Sequence, residues 1–135
     1  MKMKGSILAD ANRNHVLRAS NGCPGSSGGS VYLVTRKLRQ STGSIYARGG
    51  VASSSAYGGK NKYCTGGGGR IAIFYGQNRF DTPADFAAFT NNVSAAAGVV
   101  VTHGNYDITA WTDETHSEDG TVYWGRLSGE LIIVK

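Results

Sequence analysis

The chain has 135 residues, of which 40% are hydrophobic and 17% are charged, and its formal net charge is +5. This length predicts one domain, residues 1–135, with a core large enough to fold without a partner. The sequence has neither an apolar run of membrane-spanning length nor the apolar region of a signal peptide, so it predicts no membrane insertion and contains no recognisable export signal.

Short strand-like segments recur along the chain, and glycine borders each of them. Val31 and Leu33 share one face of the first segment, and Tyr32 and Val34 share the other. Each segment combines β-branched and aromatic residues between turn formers, which is the pattern of a strand. Several are apolar on both faces, which favours strands covered on both sides. The predicted strands lie within residues 28–35, 43–50, 68–76, 97–104, 120–125 and 129–135.

The first predicted strand ends in the densest basic group of the chain, Arg36, Lys37 and Arg39. A nucleic-acid-binding protein more often concentrates its basic residues on one element beside stacking aromatic residues. We therefore interpret this group as a solvated strand end. That interpretation predicts no specific nucleic-acid partner and leaves weak affinity for polyanions open.

Residues 63–76, with the sequence YCTGGGGRIAIFYG, place four consecutive glycines directly before an apolar run. A phosphate-binding loop would lead into a helix and continue with Lys and Ser or Thr, and neither feature is present. A flexible linker would not end abruptly in a strand. The run therefore predicts a place where the backbone turns or packs closely against a neighbouring segment.

The segment from residue 81 to residue 98 is the exception to the strand pattern. Thr82 is a suitable N-cap, proline follows at the first helical position, and Asp85 completes a capping-box-like pattern. Gly98 is a suitable stop signal. The sequence predicts a single short helix near 82–97, with an irregular alanine-rich linker as the alternative. The apolar residues at helical spacing are Phe86, Phe89, Val93 and Ala96.

The order GGSVYL, GSIYARGG, a glycine-rich loop, GGGGRIAIFY and GTVYWG resembles the C-terminal part of glycine-rich secreted bacterial surface proteins. Those proteins are usually taken to be right-handed parallel β-helices, similar to pectate-lyase-like folds. The resemblance covers residues 28–76 and 120–125. It implies an all-β fold, an extracellular or cell-surface location, a longer parent protein, and a role in adhesion or carbohydrate contact. A short β-helix would have an open edge that could pair with a second copy, so a small β-sandwich is the structural alternative.

An acidic stretch lies within residues 111–120. Two of its carboxylates could act as acid and base on a glycosidic bond, or its oxygen atoms could bind Ca²⁺, although the order of a known calcium loop is absent. We favour a solvated acidic loop, and no other cofactor is predicted. If the protein is an enzyme, the candidate catalytic residues are Asp113, Glu114, His116, Glu118 and Asp119.

Aromatic residues are numerous and make the strongest case for binding. Flat rings with a polar edge on a rigid β-surface stack on sugars at a small cost in side-chain entropy. The candidate ligand-binding residues are Trp111, beside the acidic stretch, with Tyr106 and His103, whereas Trp124 is predicted in the core. We therefore predict a non-catalytic, glycine-rich β domain that contacts glycans or another surface polymer. The alternative is a small glycoside hydrolase or polysaccharide lyase.

The two cysteines, Cys23 and Cys64, both lie in glycine-rich loops. One disulfide or two free thiols are equally compatible with the sequence, and no His or Cys spacing matches a zinc site.

Overall fold

A computed structural model describes residues 1–11, 25–53, 65–98, 100–101 and 117–128 of the chain. The described residues form mostly strands and one short helix, in agreement with the predicted all-β class. The elements in chain order are β1 (Ser6–Leu8), β2 (Ser30–Arg39), β3 (Ser44–Tyr46), β4 (Ala52–Ser53), β5 (Arg70–Arg79), α1 (Pro83–Thr90), β6 (Val93–Ser94), β7 (Val100–Val101) and β8 (Thr121–Arg126).

The strands of the described residues form three sheets, and every ladder in them is parallel. Their orders are β1-β3-β6, β2-β5-β8 and β4-β7. The longest ladder pairs β2 with β5 from Ser30 opposite Arg70 to Arg39 opposite Arg79. The next continues from Arg70 opposite Thr121 to Tyr75 opposite Arg126. Each sheet therefore joins segments that lie some forty to fifty residues apart in the sequence.

The predicted strand positions agree with the structure for the described part of the chain. Strands β2, β3, β5, β7 and β8 all begin inside predicted segments, and β2 continues beyond its predicted end to Arg39. Strands β1, β4 and β6 were not predicted. Residues 129–135, the last predicted strand, lie outside the described residues.

The core lies on the inner face of the β2-β5-β8 sheet and against the β1-β3-β6 sheet. The largest fully buried side chains of the described residues are Leu38, Ile45, Ile71, Ile73 and Phe89. Each fully buried side chain of this size contributes about 1.5–3 kcal/mol relative to an exposed one. The outward residues of β2 are exposed, whereas Ala72 and Phe74 of β5 are half-buried. The expectation that the strands are buried on both sides is therefore wrong for β2, whose Tyr32 and Val34 are exposed.

Helix α1 begins where the sequence predicts. The Thr82 hydroxyl oxygen accepts a hydrogen bond from the Asp85 backbone N–H at 3.1 Å, and the hydroxyl donates to the Asp85 carboxylate at 2.7 Å. The bond from Thr82 lowers the pKa of Asp85 below its ordinary value. These contacts satisfy one of the N–H groups that a helix start leaves unpaired.

The same helix ends earlier than predicted, at Thr90 rather than near 97. Asn91 is the C-cap, and Asn92 follows it in a turn. Val93 then enters the sheet beside Ile45, with the Ile45 backbone N–H donating to the Asn92 carbonyl at 3.0 Å. Asparagine is a poor helix former because its side chain competes for backbone hydrogen bonds, so the helix stops there despite the apolar spacing beyond it.

Helix α1 covers an aromatic cluster on the inner side of the long sheet. The rings of Phe86 and Phe89 lie 5.6 and 6.0 Å from the ring of Trp124 in near edge-on geometry. Phe80 packs against both phenylalanines. Trp124 is partly buried and contacts the core, as predicted.

The glycine run before β5 packs backbone directly against backbone. A Cβ atom at Gly66, Gly68 or Gly69 would lie closer than 3.0 Å to a neighbouring backbone oxygen, a distance that real Cβ atoms essentially never show. A Cβ at Gly67 would meet nothing closer than 3.8 Å. Close approach of neighbouring segments, and not a phosphate loop, therefore explains the run.

A partly buried ion pair joins the chain near β1 to the chain after β3. The Asp10 carboxylate accepts hydrogen bonds from the Arg48 backbone N–H at 2.7 Å and from its guanidinium at 2.6 and 3.0 Å. The guanidinium also lies 4.0 Å from the centre of the Tyr46 ring. The bond to Asp10 raises the pKa of Arg48.

The helix found among the described residues is too short to cross a membrane.

Candidate binding face

The outer face of the β2-β5-β8 sheet carries the most exposed aromatic side chains of the described residues. Alternation along the strands turns residues 31, 33, 71 and 73 inward and the even-numbered residues between them outward. Tyr32 pairs with Ala72, which pairs with Tyr123. In the next outward row, Val34 pairs with Phe74 and Phe74 with Gly125. We call Tyr32, Val34, Phe74 and Tyr123 the outer aromatic face.

The three rings of this face form a continuous row across three strands. The Phe74 ring lies 5.4 Å from the Tyr32 ring and 5.5 Å from the Tyr123 ring, with interplanar angles of 49° and 48°. Tyr32 is 72% exposed and Tyr123 is 57% exposed. Diagonal neighbours on a sheet are within reach of aromatic side chains, so each tyrosine rests against a ring that the fold already holds.

Gly125 allows the central ring to lie down on the sheet. A Cβ atom at this position would lie 2.5 Å from Cδ1 of Phe74, in the space that the ring occupies. Gly125 is buried beneath that ring although its strand position faces outward. Because Gly125 has no side chain, the Phe74 ring can occupy the space above it, and in that position the ring contacts both tyrosines.

A group of positive charges lies where strands β2 and β5 end. Arg39 stands directly opposite Arg79 in the parallel ladder, and both are exposed. Arg36 and Lys37 precede them on β2 and are also exposed. We call Arg36, Lys37, Arg39 and Arg79 the basic strand end. In the described part of the chain, no carboxylate lies within ion-pair distance of any of the four.

One of these arginines is held in place by its neighbour. Nε and Nη2 of Arg79 both donate to Oε1 of Gln77, at 3.1 and 3.0 Å. A guanidinium fixed through one edge keeps its other N–H groups free to approach an anion in a planar fork.

The opposite ends of the same strands border a cleft of about 520 Å³. Glu118 and Asp119 line it together with Arg70 and the glycines at 67–69. One oxygen of the Asp119 carboxylate accepts a hydrogen bond from the Ala97 backbone N–H at 2.6 Å. Asp119 therefore has a structural role, because this hydrogen bond joins the residues just before β8 to the residues that follow β6.

Most residues that the sequence singled out lie outside the described part of the chain. Glu118 and Asp119 are described and stand side by side at the cleft. Among the described residues, no group of three His, Cys, Asp or Glu side chains is placed to hold a metal ion. The residues outside the description are Asp113, Glu114, His116, Trp111, Tyr106, His103, Cys23 and Cys64.

Sequence reasoning did not find the outer aromatic face as a unit. The alternation along β2 placed Tyr32 and Val34 together on one face, which was the available signal, but the sequence favoured strands covered on both sides. The participation of Phe74 depends on the pairing of β2 with a strand forty residues later, and no local pattern encodes that register.

Comparison with known proteins adds no identification: no family model, no curated protein and no solved structure matches this chain.

Proposed function

We propose that this chain is a stretch of parallel β-helix from a glycine-rich, secreted surface protein. The support is topological. Segments of the three sheets recur in the same chain order, with β3, β4 and β5 followed by β6, β7 and β8. All their ladders in the described residues are parallel, whereas β-sandwiches are built from antiparallel sheets. Variable stretches between the strands leave this recurring order intact.

The function we propose for this domain is non-catalytic contact with glycans. The observation that carries it is the row of Tyr32, Phe74 and Tyr123 on the outside of a hydrogen-bonded sheet. Monomeric proteins rarely leave contiguous aromatic surface in water without using it. The C–H faces of sugar rings pack on aromatic rings, and the tyrosine hydroxyl groups can bond to sugar hydroxyls at the rim.

Removing the exposed rings tests this function. The substitutions Tyr32→Ala and Tyr123→Ala should each weaken binding to a responsive polysaccharide about tenfold, equivalent to about 1.4 kcal/mol. Affinity gel electrophoresis of the purified chain in gels containing single polysaccharides measures this loss. Because both residues are largely exposed, thermal unfolding should stay close to that of the unaltered chain.

The matched control is Leu8→Ala. Leu8 is also a large, exposed apolar residue, but it lies on β1 in a different sheet. The assignment of this face would be contradicted if polysaccharide in the gel still retarded both tyrosine variants as strongly as the unaltered chain. It would also be contradicted if Leu8→Ala reduced the retardation as much as the tyrosine substitutions do.

A small carbohydrate-active enzyme is the second candidate function. The observation in its favour is the cleft that Glu118 and Asp119 line. Release of new reducing ends from soluble polysaccharides, measured with and without a chelator, tests this alternative and the possible use of Ca²⁺. Activity that Glu118→Gln or Asp119→Asn abolishes, and that Tyr32→Ala leaves intact, would replace the binding proposal with catalysis.

A further inference from the structure

The basic strand end places like charges side by side, with no counter-ion among the described residues. Arg39 and Arg79 are directly opposed in the ladder, and like charges in that position destabilise a sheet. Lys37 is opposite Gln77 two residues before the end, and Arg36 precedes it. No described acidic group neutralises these side chains. A bound anion would remove the repulsion and use the free donors.

The basic strand end is continuous with the outer aromatic face along the same two strands. On β2 the exposed residues beyond Ser30 are Tyr32, Val34, Arg36, Lys37 and Arg39. Leu38 is fully buried, so the inward–outward alternation shifts by one residue after Arg36. On β5 Phe74 is half-buried, and the exposed residues beyond it are Gln77, Asn78 and Arg79. With a rise of about 3.3 Å per residue, Tyr32 and Arg39 are about 23 Å apart. That length suits several consecutive sugars lying along the strands.

We propose that the outer face binds an acidic, carboxylate-bearing polysaccharide, with sugars on the rings and carboxylates at the arginines. This inference rests on the glycan contact proposed above and adds the class of glycan. An arginine fork matches the two oxygens of a carboxylate, and Gln77 holds the Arg79 fork in one orientation.

The ring geometry favours a polysaccharide over a single-stranded nucleic acid. Proteins that bind single strands offer aromatic faces on which successive bases stack. Here neighbouring rings are inclined by 49° and 48°, so adjacent rings offer no parallel faces to stacked bases. Two exposed tyrosines across an intervening phenylalanine instead present separate platforms for separate sugars.

Two cellulose derivatives with one backbone test the charge requirement. The full chain is titrated with carboxymethylcellulose, which bears carboxylates, and with hydroxyethylcellulose, which is neutral, at 25 °C and two salt concentrations. We expect at least tenfold tighter binding of the carboxylated polymer at low salt, and a smaller preference at high salt because the exposed charges are screened.

The double substitution Arg39→Gln with Arg79→Gln should remove this preference. Lys2→Gln with Lys4→Gln removes the same charge from exposed positions outside this sheet, and the preference should persist. Circular dichroism of both double variants checks that the fold is retained. Tyr32→Ala should weaken binding of both polymers.

Each outcome bears on the proposals separately. Equal binding of the two polymers, dependent on Tyr32, would overturn the acidic specificity and leave glycan contact standing. Binding of neither polymer, with alginate also inactive, would overturn both. Tighter binding of single-stranded DNA than of carboxymethylcellulose would overturn the polysaccharide assignment in favour of nucleic acid. Equal losses from the two double substitutions would overturn the specific role of Arg39 and Arg79.

Discussion

A change from glycine to alanine should have opposite effects on stability at the neighbouring positions Gly67 and Gly68. Gly68→Ala would place a methyl group closer than 3.0 Å to the Ala95 carbonyl oxygen and the Gly120 nitrogen. Those two atoms share a backbone hydrogen bond of 2.7 Å, so the methyl group must separate the segments that the bond joins. Gly67→Ala would place its methyl group in ordinary van der Waals contact, and its backbone is outside the left-handed region.

The expected magnitudes differ in sign as well as size. At Gly68 the lost hydrogen bond and its buried, unpaired groups cost about 1–3 kcal/mol. Overpacking adds about 1–3 kcal/mol, so the free energy of unfolding should fall by about 2–6 kcal/mol. At Gly67 the substitution restricts only the unfolded chain, and it should raise that free energy by about 0.4–1 kcal/mol.

Thermal unfolding followed by circular dichroism separates the two cases. For a chain of this length, each kcal/mol moves Tm by about 3–5 °C, so Gly68→Ala should lower Tm by about 6 °C or more. Gly67→Ala should leave Tm unchanged or slightly higher. Equal Tm values for the two variants would refute the argument that close backbone approach explains the glycine run.

Three further predictions concern the helix cap and the ion pair. Thr82→Ala should lower the free energy of unfolding by about 1 kcal/mol, because it removes the N-cap oxygen. The pKa of Asp85 is lower in the folded chain than its ordinary value of 3.8. The stability that this carboxylate contributes is therefore present above pH 3.8 and is lost as the pH falls through the lower folded pKa. The free energy of unfolding, measured as a function of pH, should fall over that range. Asp10→Ala should cost about 1–3 kcal/mol in urea unfolding, because it leaves the half-buried Arg48 guanidinium and backbone N–H without their acceptor.

The two substitutions at Thr82 and Asp10 each have a control of the same residue type. Thr90→Ala alters a threonine at the other end of α1, whose hydroxyl donates to the Ala87 carbonyl, and it should be nearly neutral. A loss as large as that of Thr82→Ala would contradict the cap argument. Asp81→Ala removes an exposed carboxylate near α1, and a loss equal to that of Asp10→Ala would contradict the role of the ion pair.

Local sequence patterns predicted the long strands because each is a self-contained signal. The alternation of Val31 and Leu33 with Tyr32 and Val34 is encoded within four residues, and glycines mark where the strands begin. Strand β6 was missed because Val93 continues the helical spacing from Phe89. Its strand conformation comes from pairing with Ile45, a contact that no nearby residue announces.

The candidate face depended on information of another kind. Tyr32 and Tyr123 are ordinary strand tyrosines when read alone. They become part of one surface because Ala72 stands between them in register and Phe74 reaches both rings. The same register pairs Arg39 with Arg79. The sequence alone indicated only a solvated strand end, whereas this pairing brings two positive charges together.

The parallel ladders also have a consequence for the time course of folding. Pairing Ser30 with Arg70, or Arg70 with Thr121, closes a loop of about forty to fifty residues. The entropy of that loop is lost before the first hydrogen bond of the ladder can form. Closing a flexible loop of that length costs about 3 kcal/mol of chain entropy. No short hairpin can nucleate such a ladder, so refolding should be slow, and β5 becomes the template on which β2 and β8 each assemble.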